Sequence, residues 1–347
     1  MSKLYDEDKS SWITGSCKNS LNIMSIKFDA SVYLCYCSDW IPKSLCNILE
    51  IDNRQQFWDL FENNPVRDSI VDQSHRYCLG SICSILQNLY YKKTDDHFVH
   101  PSKLPTNNII KQLRLILDES CNLMCPSCRS NLIVRRDPTH LQNIKNILSK
   151  IDEFFFNPLQ VKSIWLDGAG EFSSNPIILD WMVKKIETSD VKFELITNGT
   201  LLYKNKEAIS KILSRTTEVE ISIDASNADV YSKTRINGNW ENLLKGLELL
   251  RDMRKKYGFT IRSNYVVSSN NYDDINDFIT FSKNQKFSRI NFTRIRRRSN
   301  MSNKEWQELD IFDTNHPSYP KFIESLKNLN CKIPNNFNDV LQKIVYK

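Results

Sequence analysis

The chain lacks any run of about 18 apolar residues, which excludes a helix that crosses a membrane from the reading. Its opening, MSKLYDEDKSSW, has neither the apolar stretch of a secretory signal nor the arginine-rich amphipathic pattern of a transit peptide. The expectation is a cytoplasmic protein with no membrane partner. Low-complexity tracts are absent, as are internal repeats beyond an alternation of strands and helices. Strong charge is missing too: the formal net charge is +6 over 347 residues. Basic residues are interleaved with acids except at RIRRR, 294–298, so nucleic acid is not the partner this balance suggests. Glycine is scarce, with eight residues, so two of them close together need a reason.

What is abundant is cysteine, with ten residues that are not scattered. Cys17, Cys35, Cys37, Cys46, Cys78 and Cys83 lie before residue 84, Cys121, Cys125 and Cys128 share one short loop, and Cys331 stands near the end. In a reducing compartment such clusters point to metal or iron–sulfur ligation before disulfides. The first 100 residues form a cysteine-rich region with strand-like pieces (LNIMSIKF, SVYLCYC), a helical RQQFWDLFEN ended by NNP, and an RDSI turn. KKTDDHFVHPSKLPTNN reads as a linker, which places boundaries at 1–100, 101–298 and a tail at 299–347.

From residue 111 short apolar runs alternate with amphipathic helices. Strands are expected at 112–118, 161–167, 192–198, 218–224, 260–267 and 288–295, and helices near 139–156, 176–188, 204–214, 239–257 and 272–285. Asn175 before Pro176 is a helix start and Gly258 a helix stop. Six strands separated by helices argue for an α/β fold with a parallel sheet, closed or partly closed. In such folds function gathers at the carboxyl ends of the strands. ESCNLMCPSC, DGAGE, TNG and SIDAS all fall there.

A cubane of four irons takes one ligand per iron, usually a cysteine thiolate. Cys121, Cys125 and Cys128, with gaps of three and two residues, supply three and leave one iron open. An open coordination position marks catalysis rather than scaffolding. Structural zinc is the competing reading, yet it takes four ligands and no histidine or cysteine follows closely behind Cys128. His140, the nearest histidine, reads as a surface residue at a helix start.

Cys121-x3-Cys125-x2-Cys128 after a first strand resembles the signature of the radical S-adenosylmethionine (SAM) enzymes, over roughly residues 110–298. The resemblance implies a partial (βα)6, TIM-like barrel in which a [4Fe-4S] cluster binds SAM at its open iron. Reductive cleavage of SAM then gives a 5′-deoxyadenosyl radical that abstracts hydrogen from substrate, with an electron donor such as flavodoxin or ferredoxin. Asp167-Gly168-Ala169-Gly170-Glu171 resembles the family's glycine-glycine-glutamate segment, so Gly170 and Glu171 are expected at the methionine ammonium. Glycines allow close backbone approach, and a carboxylate pairs with an ammonium. Ala169 and Phe172 depart from the usual glycine and proline. Ser222 and Arg235, with Asp224 nearby, resemble the element that binds the SAM carboxylate and ribose, and Asn198 a strand end near the adenosyl group. Val267, at a position near the adenine in the family, reads as core.

The front region resembles the SPASM or twitch extension of this family, here as a small α+β domain preceding the barrel instead of following it. The resemblance implies one auxiliary [4Fe-4S] cluster on Cys17, Cys35, Cys78 and Cys83, with Cys37 a substitute for Cys35. Enzymes with such extensions most often modify ribosomally made peptides by crosslinking, oxidation or epimerisation, so a peptide substrate is expected. Dehydrogenation of a sugar or small molecule is the alternative, and a zinc-stabilised binding module the alternative of another class. Cys331 is a candidate hydrogen donor, or a packed tail residue. RIRRR is a phosphate or acidic-peptide contact, or a solvated rim.

Overall fold

Alternation of apolar and polar side chains sets most of the elements. The computed structural model describes residues 15–36, 41, 44–78, 83, 86, 98–104, 110–156, 161–298 and 301–329. Two compact units divide the chain. One comprises Met1–Glu119, Arg135–Ala169 and Glu187–Lys192, the other Ser120–Val134, Gly170–Ile186 and Phe193–Lys347.

The first unit holds strands β1 (Ile23–Lys27), β2 (Ser31–Leu34), β3 (Cys46–Asn47), β4 (Gln112–Ile116) and β5 (Ser163–Leu166). β4 lies between β5 and β1 and runs parallel to both, while β2 and β3 continue antiparallel from β1. β1 is buried along nearly its whole length, as befits a strand covered on both faces. The boundary expected near residue 100 therefore does not coincide with a break in the sheet, because β1 and β4 lie on either side of it and pair from Ile23–Gln112 to Lys27–Ile116.

Helix α1 (Arg54–Glu62) starts where Asn53 accepts the Gln56 N–H, and buries Phe57, Trp58 and Phe61. RDSI, expected as a turn, lies in a second helix, α2 (Pro65–Val71). The Asn-Asn-Pro that ends α1 also begins α2: Asn64 accepts from Val66 and Arg67, and Pro65 fills the first turn where its missing N–H costs nothing. Helix α3 (Pro138–Phe155) packs on α1 through Phe57 against Phe154 and Phe155, each with ring centroids 5.4 Å apart. All three rings are fully buried.

A polar knot ties the Cys35 loop to strands β4 and β5. The Tyr36 hydroxyl donates to Gln112 at 2.7 Å, and its ring meets Trp165 edge-on at 5.2 Å. Arg114 donates to the Tyr36 carbonyl, lies 5.1 Å over the Trp165 ring and bonds Asp167 through Nε at 2.6 Å. His140 is not the surface residue expected. Its side chain is 9% exposed and bonds the buried Asp118 carboxylate at 3.1 Å.

The second unit contains all but the last two residues of α4 (Pro176–Thr188), all but the first of β6 (Lys192–Thr197), and α5 (Lys206–Leu213), β7 (Thr216–Ser222), α6 (Ala228–Thr234), α7 (Trp240–Tyr257), β8 (Thr260–Val267), α8 (Ile275–Asn284) and β9 (Arg289–Arg294). Strands β6 to β9 are parallel and adjacent in chain order, so their carboxyl ends form one rim. α6 was not anticipated. The region expected as a tail adds α9 (Asn303–Leu309), opened by a Ser302–Glu305 capping box, and α10 (Tyr319–Lys327). α7 ends at Gly258 in the left-handed region (φ 78°), whose N–H reaches the Arg254 carbonyl at 2.9 Å. Closer in, Gly246 of α7 touches the strand-end turn at Gly199, which has φ 80°. A Cβ on Gly246 would fall 2.2 Å from the Gly199 carbonyl oxygen. The two glycines let helix and turn meet backbone to backbone. Among the described residues no helix is long and apolar enough to cross a membrane.

Candidate functional site

The second unit collects the three-cysteine loop, Gly170–Glu171 and the ends of β6, β7 and β8. The loop closes on itself where the Cys121 N–H bonds the Ile133 carbonyl at 2.8 Å. It turns at Cys125, whose carbonyl accepts from Cys128 (2.8 Å) and Arg129 (3.0 Å). Two further bonds anchor it: Met124 N–H to the Ile236 carbonyl at 3.0 Å, and Glu171 N–H to the Ser120 carbonyl at 2.8 Å. Backbone hydrogen bonds thus help to hold the thiols in place.

Each thiol has different surroundings. Cys121 Sγ accepts the Leu123 N–H at 3.4 Å and lies 3.8 Å from Asn198 Nδ2. Burial pushes its thiol up to about 11, and the nearby Glu171 charge adds to the rise. Cys125 Sγ lies 3.6 Å from Arg235 Nη1. Burial raises this thiol as well, opposed by the arginine. Cys128 is exposed.

Glu171 is 2% exposed and saturated with donors. Oε2 accepts the Asn198 N–H at 2.7 Å, and Oε1 accepts the Thr197 hydroxyl at 2.8 Å and the Ser173 hydroxyl at 2.5 Å. Burial raises its carboxyl, and these bonds pull it back down. The side chain therefore ties the glycine loop to the end of β6. Gly170 stands half-buried just before it. Asn198 continues the lattice, donating to Asn122 Oδ1 at 3.0 Å and accepting from the Thr200 hydroxyl at 2.6 Å. Asn122 donates back to Thr200 at 2.8 Å.

Ser222 ends β7 half-buried, and among the described residues its hydroxyl has no hydrogen-bond partner. Arg235 follows α6 and pairs with Asp224 through Nη2 at 2.8 Å. Asp224 sits in the left-handed region (φ 61°), and its other carboxylate oxygen accepts the Val266 N–H at 2.7 Å. Val267 is fully buried core, as expected. Sequence reasoning grouped Asp224 with Ser222 and Arg235 without giving it a partner, and it named no role for Asn122, Thr197, Thr200 or Tyr231. Asn122 and Thr197 lie within the cysteine and TNG motifs that the sequence singled out, and Thr200 directly follows the second. Tyr231 had no signal, because α6 was not foreseen.

The donor set suits an iron–sulfur cluster. Beside Cys125, the buried Arg235 Nε has no acceptor among the described residues, and neither has the buried Tyr231 hydroxyl, which lies within electrostatic reach of that thiol. Thiolate and sulfide sulfur are acceptors for such donors. No three His, Cys, Asp or Glu side chains converge on one metal-ion position among the described residues. Cubane ligands need not do so, since each addresses its own iron. Residues that could hold a cluster here are Cys121, Cys125 and Cys128.

In the first unit Cys17 is buried on a two-residue strand pairing with Phe98–Val99. Burial raises its thiol, with a smaller push from Cys83. Cys78 and Cys83 pack with Phe98 around Leu86. Cys35 is buried at the end of β2 with φ 68°, its N–H on the Ile23 carbonyl at 2.8 Å. Cys46 is pushed up to about 12 by burial and the Glu50 charge. Cys37 and Cys331 lie outside the described residues.

The fold and site define a class: an α/β domain of mostly parallel strands that presents a three-thiol loop at the strand ends. Residues 115–282 match the radical SAM superfamily, so the chain carries a domain of that superfamily. That domain brings a [4Fe-4S] cluster and S-adenosylmethionine as cofactors. Mycofactocin maturase MftC of Mycolicibacterium smegmatis is 26% identical over 206 residues, which cover 58% of this chain and 47% of that one. GTP 3',8-cyclase of Helicobacter pylori is 27% identical over 190 residues, covering 52% and 54%. The chain spans about half the length of these curated relatives. Among solved structures, Streptococcus suis SuiB bound to S-adenosylmethionine aligns with a TM-score of 0.41 and 15% identity, over 78% of this chain and 61% of that one.

Proposed function

We propose that the chain is a radical SAM enzyme that modifies a peptide, with Cys121, Cys125 and Cys128 as ligands of a [4Fe-4S] cluster. When bound, the cluster and SAM supply reductive cleavage of SAM and removal of a hydrogen atom from the substrate. The chain's own residues prepare the place for this. The backbone bonds of the loop fix the three thiols, and the Glu171 brace sets Gly170 against the end of β6. Ser222, with its hydroxyl open, is the residue we assign to SAM, and the Asn122–Asn198–Thr200 lattice holds the strand end beside it. The observation that carries the reading is the loop itself, three thiols on one turn with buried N–H donors directed at two of the sulfurs.

A peptide substrate is supported by MftC, named as a maturase. A nucleotide substrate is the second reading, favoured by the GTP 3',8-cyclase relative. Under the first reading, Cys17, Cys78 and Cys83 with Cys35 or Cys37 would hold an auxiliary cluster, which would supply an electron acceptor for substrate oxidation.

Anaerobic reconstitution of the full chain, followed by iron and sulfide counts and assay of 5′-deoxyadenosine, tests the proposal. The wild type takes up iron and makes the nucleoside on reduction, whereas a triple alanine variant at 121, 125 and 128 makes none. Iron that remains in the triple variant counts the auxiliary cluster. Stoichiometric zinc with no iron would refute the reading. Incubation with candidate peptides or with GTP, read by mass spectrometry, separates the two substrate classes.

A further inference from the structure

Arg235 presents a discrepancy between motif and geometry. The motif assigns its guanidinium to the SAM carboxylate, yet both of its terminal nitrogens are engaged within the protein. Nη2 bonds Asp224 at 2.8 Å and Nη1 faces Cys125 Sγ at 3.6 Å. The guanidinium side chain is 10% exposed and the Asp224 carboxylate 2%. Asp224 is itself fixed at two points, since its carboxylate accepts the Val266 N–H at 2.7 Å and its carbonyl accepts Asn271 Nδ2 at 3.0 Å. Met124, next to Cys125, is bonded to Ile236, next to Arg235. Thiol and guanidinium are thus held together by backbone as well as by side chains.

Resting on the reading that Cys125 is a cluster ligand, we propose that Arg235, held by Asp224, is a positioning residue that donates a hydrogen bond to the Cys125 sulfur and sets the reduction potential of the cluster. Hydrogen bonds to ligand sulfurs, local charge and burial are the means by which proteins tune such clusters. Reduction adds one negative charge. A cationic donor at a ligand sulfur stabilises that charge, and a carboxylate behind the donor offsets part of the effect. The pair therefore acts as a balanced dipole whose two halves push the potential in opposite directions.

The test uses the full chain, reconstituted anaerobically without SAM and titrated with dithionite in the presence of mediators, with the reduced cluster followed by electron paramagnetic resonance. Signals that persist in the triple alanine variant at 121, 125 and 128 are subtracted, and iron is counted in every sample. Arg235→Gln is expected to lower the midpoint potential by roughly tenfold in the one-electron equilibrium, about 59 mV. Asp224→Asn is expected to raise it, and Arg235→Lys to fall between Arg235→Gln and wild type. A merely structural role would not give shifts of opposite sign. If Arg235→Gln fails to fold, the Lys and Asn variants carry the comparison. Equal midpoints in fully loaded variants, or shifts of one sign, overturn the proposal. So does an Arg235→Lys protein with unchanged potential but weakened SAM binding, which would return the arginine to the carboxylate. A wild type without iron at the three cysteines defeats the cluster reading first, and the iron count tells that failure apart.

Discussion

Replacing Glu171 with glutamine separates two roles that the same carboxylate could fill. The family resemblance makes it a partner of the SAM ammonium, whereas the structure makes it a brace between the glycine loop and the end of β6. Its two oxygens face two backbone N–H groups, those of Asn198 at 2.7 Å and Ser173 at 3.3 Å, plus the Ser173 and Thr197 hydroxyls. Hydroxyls can turn and accept from an amide NH2, but backbone N–H groups cannot. Whichever way the glutamine amide is placed, one buried N–H is left facing another donor. An unsatisfied buried donor costs about 1–3 kcal/mol, so the cofactor-free Glu171→Gln protein should lose about that much stability in anaerobic urea denaturation. Glu171→Ala strands both N–H groups and empties the site, for a loss of about 3–5 kcal/mol. Stability within about 0.5 kcal/mol of wild type, combined with loss of SAM binding in calorimetry, would refute the brace and restore the ammonium role.

Three further outcomes follow from the packing. Gly246→Ala drives a methyl group into the Gly199 carbonyl and should cost about 1–3 kcal/mol, read as a lower urea midpoint. Phe57→Ala removes the ring that meets both Phe154 and Phe155 and should destabilise the first unit by about 3–5 kcal/mol, again by denaturation. Deleting residues 1–100 strips β1 from β4, leaving an apolar edge strand; the remaining chain should aggregate on expression, and a soluble, folded product would show that the front region is dispensable for folding.

Most strands of the second unit were legible because their pattern is local. TIRSNYVV alternates in sequence and in burial, and the strand occupies the same residues, Thr260–Val267. The Asn175–Pro176 start and the Gly258 stop carry the helix-end chemistry read from them. Other features were written in signals with two meanings. Asn-Asn-Pro was read only as an end when it is also a beginning, and Ser302-x-x-Glu305, a capping box, passed unnoticed in a stretch taken for a tail. The pairing of β1 with β4 could not be read at all, since nothing near Ile23 names a partner so far along the chain. For the site, the cysteine spacing located the loop but could not say which partners its thiols face. Asp224 and Arg235 form an ion pair eleven positions apart, across a helix the sequence did not announce.

The Tyr36–Arg114–Asp167 knot and the β1–β4 pairing bear on how the protein is made. Synthesis delivers β1 and the Cys35 loop roughly 90 residues before the strand they join, an interval of about 5–20 s at ordinary elongation rates. Asp167, which Arg114 must grip while it holds the Tyr36 carbonyl, leaves the ribosome later still. This part of the first unit therefore emerges well before the residues that complete it. During that wait the edge of β1 that β4 will cover stays unpaired, and metal delivered before residue 167 has been synthesised would meet a Cys35 loop that is not yet anchored.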